Sequence, residues 1–137
     1  MANLVYSSFK EHVLNGDIDL SSANVYLMLV SGAYTFSHTH EVTGDISSQI
    51  VSSNYTAGGK LIRNTSVAVD AGNDAVLDGD NLTFSGLTCS LAYGVVWVSG
   101  GSPSTSYLLG QVDFGNQTLT NSDFVVNWNS EGIFNLM

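Results

Sequence analysis

Two histidines stand two residues apart in Ser37-His38-Thr39-His40-Glu41. On an extended strand this spacing aims both imidazoles at one face, with a carboxylate adjacent. That is the beginning of a zinc site, but a closed tetrahedral site needs four donors. The only other histidine is His12, and the only cysteine, Cys89, falls in the strand-like run TCSLAYGVVWV on the side of Leu91, Tyr93 and Val95. The pair is therefore read as part of a polar surface loop, with no metal expected. Cys89 is expected to be a buried, inert thiol, because no histidine or lysine lies near it in sequence to lower its pKa.

Gly58-Gly59-Lys60 looks like half of a phosphate-binding loop. The spacing G-x-x-x-x-G-K-[ST] would place a glycine at position 54 and a hydroxyl after the lysine, whereas Asn54 and Leu61 stand there. The two glycines are read instead as positive-φ residues at a bend leading into the next strand. Asp70, Asp74, Asp78 and Asp80 invite a calcium reading, yet an EF-hand loop starting at Asp70 needs glycine sixth and glutamate twelfth. Ala75 and Asn81 occupy those places, and acidic turns account for the aspartates. No G-x-S-x-G elbow ties a serine to His12, His38 or His40. No catalytic residue and no cofactor are assigned, and an enzyme is not expected.

The whole chain narrows the partners further. It has 137 residues, enough for one domain with a core of its own. Charged residues make up 11%, and three basic residues against twelve acids give a net charge of −9. Such a surface repels phosphate backbones and anionic lipid headgroups, so neither nucleic acid nor membrane is an expected partner. No run approaches the ~20 apolar residues of a membrane span. The start, MANLVYSSFKEHVLNG, has neither a positive n-region nor an uninterrupted apolar run, so a secretory signal is not expected and a reducing origin is.

These residues need elements to hold them. Val5, Tyr6, Phe9, Val13 and Leu14 are spaced for a short amphipathic helix between about Tyr6 and Asn15, ending at Asn15-Gly16. DIDL puts Ile18 and Leu20 on one face, and NVYLMLVS reads as a central strand covered on both sides. After Gly59 come KLIRNTSVAVD, AVL, NLTFS, TCSLAYGVVWVS, SYLLGQVDF, DFVVNW and GIFNL, separated by turn signals that include Gly115-Asn116. The pattern predicts an all-β fold, a single antiparallel β-sandwich or jelly-roll-like domain over residues 1–137 with one short N-terminal helix. Trp97 and Trp128 share strand faces with apolar residues and are expected in the core.

The opening NLVYSSFKEHVLNGDIDL, the YTAGG of Tyr55 to Gly59, the DFG of Asp113 to Gly115 and the close FVVNWNSEGIFNL together resemble a group of small virion proteins of tailed bacteriophages. The resemblance runs nearly end to end and implies capsid decoration. A cement protein of this kind binds the major capsid protein on the outer surface of the phage head. It would be made in the host cytoplasm during assembly, and symmetry matching favours a homotrimer. The alternative is a glycan-recognising, host-binding module of a tail or head fibre. The stretch TFSHTHEVTGD departs from the resemblance. It lies in the irregular segment 33–55, where Tyr34 and Phe36 are expected as exposed aromatic anchors of a subunit or capsid interface, flanked by His38 and His40. SGGSPSTS, Ser99 to Ser106, offers no such anchor and is expected to tolerate change.

Overall fold

Val25-Tyr26-Leu27-Met28-Leu29-Val30 offers apolar side chains to both faces, which only a strand covered on both sides can satisfy. It forms β2 (Val25–Val30), with every side chain but Tyr26 buried. The computed structural model describes residues 3–128 and 132–136; residues 129–131, inside the closing stretch that carries the resemblance, lie outside them. β2 pairs with β6 (Leu82–Val98) on one side and β3 (Lys60–Leu61) on the other. β6 pairs with β7 (Leu108–Val126), and β1 (Asn3–Val5) closes the far edge, giving a five-stranded sheet in the order β1-β7-β6-β2-β3. A second sheet holds β4 (Ser66–Val69), β5 (Ala75–Asp78) and β8 (Phe134–Leu136) in the order β4-β5-β8. All these pairings are antiparallel. With one short helix, α1 (Ser7–Leu14), the chain is the mainly antiparallel β-fold that its sequence predicts.

Several boundaries differ from the sequence reading, each for a local reason. NLTFS and TCSLAYGVVWVS are one strand, β6, irregular at Gly86, whose φ of 63° absorbs the break in register between Phe84 and Leu87. Gly115-Asn116 is likewise no turn between strands. β7 runs through it with an extra pair of residues opposite Leu91–Tyr93, and the Asp113 carboxylate accepts the Gly115 N–H at 2.8 Å. KLIRNTSVAVD, by contrast, divides. Asn64 turns the chain at φ 54°, sending Lys60–Leu61 to one sheet and Ser66–Val69 to the other. DIDL forms no strand. On the helix only Phe9 is buried, and Leu14 is 88% exposed.

Strand alternation sorts the large sheet into two faces. Leu27, Val96 and Gly110 share one face by register, and a Cβ on Gly110 would lie 2.6 Å from the Phe134 ring of β8. This face therefore meets the small sheet. Met28, Val95 and Gln111 share the other, together with the Tyr26–Trp97 pair. Segment 31–58 runs along the β2 edge, where Gln49 pairs with Val30, and continues over this second face.

Candidate functional site

The predicted interface residues come together, but as a fastening. Tyr6, at the entry to α1, is fully buried, and its hydroxyl lies 2.6 Å from that of Tyr34. The Tyr34 hydroxyl also lies 2.9 Å from His40 Nδ1. Phe36 stacks on the Tyr6 ring at 4.6 Å, and His38 meets the Phe36 ring edge-on at 5.0 Å. From α1, Ser7 Oγ reaches His38 Nδ1 at 2.9 Å, and Ser8 Oγ donates to the His40 carbonyl at 3.2 Å. Tyr34 is only 6% exposed and Phe36 is half-buried. Tyr34 is therefore not the exposed anchor expected, and Phe36 is exposed only in part. Tyr6 supplies a buried hydroxyl that needs a partner, and Tyr34 folds inward to give it one. The segment has no strand pattern in its sequence, and its order comes from side chains paired with Tyr6 and α1.

His12 extends the same seam. Its Nδ1 lies 2.8 Å from Asp17 Oδ2 and its Nε2 2.6 Å from Glu41 Oε1, while the ring stacks on Tyr107 at 3.9 Å. Burial pulls the imidazole pKa down, but the hydrogen bonds to Asp17 and Glu41 and the charges of those carboxylates outweigh it, and the pKa is raised. A raised folded-state pKa contributes stability that is complete below the ordinary histidine value and is lost as pH rises through the folded value. We therefore expect the melting temperature to fall as pH is raised from about 6.5 into the mildly alkaline range. In His12→Gln, measured by calorimetry across the same range, that slope should be absent.

His38 and His40 end on different partners, Ser7 and Tyr34, and do not converge. Among the described residues, no group of three or more His, Cys, Asp and Glu is placed to hold a metal ion. The aspartates of 70–80 serve turns: Asp70 Oδ1 accepts the N–H groups of Gly72 and Asp74, and Asp80 Oδ2 accepts Asn64 Nδ2. Cys89 is half-buried, and burial raises its thiol pKa. Trp128 is half-buried, its indole N–H donating to the Asp80 carbonyl at 2.9 Å.

A cleft of about 500 Å³ opens on the face that carries Met28 and Trp97. Its walls are Thr43-Gly44, Gln49, Ala57-Gly58 and the β6–β7 tip from Ser99 to Ser106. The indole N–H of Trp97 donates to the Gly58 carbonyl at 3.0 Å, and Tyr26 stacks on the indole at 4.8 Å. Gln49 Oε1 accepts both the Tyr55 hydroxyl and the Gly58 N–H, each at 2.6 Å. Burial, ahead of the opposing hydrogen bond from Leu29 N–H, pushes Tyr55 up to about 12, so it remains a neutral donor. The tip itself is built. Ser106 is 4% exposed, its Oγ accepting from Gly100 N–H and donating to the Ser102 carbonyl. A Cβ on Gly100 would fall 1.9 Å from the Thr105 carbonyl oxygen. The expected tolerance of 99–106 therefore does not extend to Gly100 or Ser106. The cleft was missed because Trp97 alternates with core residues; the signal was its position just before the glycine-rich tip.

β4 is the other feature the sequence reading passed over. Its four residues, Ser-Val-Ala-Val, are all exposed, with Val67 at 51% and Val69 at 71%. It forms the outer edge of its sheet. Asp70 N–H bonds to the Asp74 carbonyl, so by alternation Ala68 and Ser66 also bond inward to β5, and the N–H and C=O of Val67 and Val69 face outward.

No family model, curated protein or solved structure matches this chain.

Proposed function

We propose that this chain is a non-enzymatic capsid decoration protein of a tailed bacteriophage. In this reading it binds the outer surface of the head as a homotrimer and stabilises contacts between subunits of the major capsid protein. The sequence resemblance supplies the class, and the open edge of β4 is the observation that carries the reading. Solitary proteins blunt such edges with charge, proline, bulges or a covering element. Here two valines with outward backbone donors and acceptors are left uncovered, which suits a protein whose working state is an assembly. Asp70 and Asp74 flank β4 at one end, and Asp78 and Asp80 lie at the other. A capsid strand bordered by basic residues would complement that edge.

The test is binding of the purified protein to heads assembled without it. Val67→Lys combined with Val69→Lys is expected to weaken occupancy at least about tenfold, or 1.4 kcal/mol. Isolated stability should move by less than about 0.5 kcal/mol, since both side chains are exposed. Undiminished occupancy in that variant would remove β4 from the contact.

A further inference from the structure

We propose that the cleft under the β6–β7 tip is a binding site for a neutral sugar ring. The inference goes beyond capsid decoration and does not depend on it. Its volume of about 500 Å³ falls within the roughly 300–1,000 Å³ of small-ligand sites. In a chain of net charge −9, not one lining side chain is charged. A phosphate or sugar acid would find no cation there and a surrounding negative field, and a metal ion would find no carboxylate. A purely apolar ligand would bury hydroxyl and amide groups without partners, at a cost. What remains is a ligand with an apolar face and several uncharged hydroxyls, the description of a pyranose.

The placement of groups fits that ligand. Trp97 and Met28 form an apolar floor, Tyr26 stacks on the indole, and the part of the indole that lines the cleft can pack on ring C–H groups. Gln49 supplies direction. Both of its hydrogen bonds fall on Oε1, and one comes from the backbone N–H of Gly58, which can only donate, so the amide cannot be turned over. Its NH2 makes no hydrogen bond to a described residue and carries two donors at the cleft wall. Thr43, Ser99 and Ser102 add hydroxyls around the rim. Such a site holds its donors rigid before the ligand arrives, which lowers the entropy cost of binding.

The experiment is a heteronuclear NMR titration of the isolated protein with lactose, maltose, cellobiose and N,N′-diacetylchitobiose, with glucose 6-phosphate as the anionic control. At least one neutral disaccharide should shift the Trp97 indole N–H and the Gln49 side-chain amide signals saturably, with a Kd on the order of 1 mM or tighter. Ala57→Trp fills the cleft from an exposed position outside the Gln49 network and should abolish the shifts. Gln49→Glu keeps the accepting oxygen, loses the NH2, and should weaken binding at least tenfold. The proposal is overturned if none of the four disaccharides saturates those signals. It is also overturned if Ala57→Trp leaves binding intact, or if glucose 6-phosphate binds better than the neutral sugars. Head occupancy plays no part in this measurement, so failure here leaves the decoration reading to its own test.

Discussion

Gly59→Ala should destabilise the protein by more than about 4 kcal/mol. Gly59 sits at φ 85°, and a Cβ there would lie 1.7 Å from the Leu27 carbonyl oxygen and 2.9 Å from Met28 Cα, both in the backbone of β2. The left-handed conformation alone costs a β-carbon about 1–2 kcal/mol. The overlap adds more, because no rotamer change relieves it; β3 would have to leave β2, breaking the Leu27–Lys60 pairing. A loss above about 4 kcal/mol is expected, against a total stability of roughly 5–15 kcal/mol for a domain of ordinary kind. Urea unfolding measures it directly. Gly101→Ala is the control, since its φ of 92° carries the same conformational cost but a Cβ there meets nothing within 4 Å. It should lose only about 1–2 kcal/mol. Equal losses in the two variants would show that the close approach to β2 carries no weight.

The second large effect is at the seam. Tyr34→Ser with Phe36→Ser should destabilise the isolated protein by on the order of 4 kcal/mol, the scale for emptying a buried aromatic site. The change removes the partner of the buried Tyr6 hydroxyl and the ring stacked on Tyr6. Tyr34→Phe separates the two contributions. It keeps the packing and leaves the Tyr6 hydroxyl without its partner, costing about 1–3 kcal/mol. Burial raises the pKa of both phenols, the hydrogen bond to Tyr34 adding to it for Tyr6. Their contribution is thus complete below the ordinary tyrosine value and lost as pH rises above about 10. A double variant that kept wild-type stability while losing capsid occupancy would return these rings to the role of interface anchors.

What could be read from the sequence followed from strictly local rules. The β2 run, the helix ending at Asn15-Gly16 and the bend at Gly58-Gly59 each rest on periodicity or on backbone conformations that glycine alone adopts freely. The structure places them at Val25–Val30, Ser7–Leu14 and two positive-φ glycines. What could not be read depends on distant partners. Tyr34 looks like a lone aromatic among polar residues, and only the fold places Tyr6, 28 residues away in sequence, against it. His12 gives no sign in sequence that Glu41 will cover its second nitrogen. The exposed character of β4 was hidden because its valines look like core residues until the chain turns at Asn64 and leaves the strand on an outer edge. In the cleft, Trp97 obeys the alternation of a buried face, and the polar groups around it arrive from segments as far apart as Thr43 and Ser102.

The proposed place in a phage head is tested by a density map of intact virions that carry this chain. Decoration predicts density for this fold on the outer head surface, in groups of three, with the open edge formed by Val67 and Val69 closed against the major capsid protein. Density for the fold at the tail or fibre tip, or single copies on the head with that edge facing solvent, would contradict it.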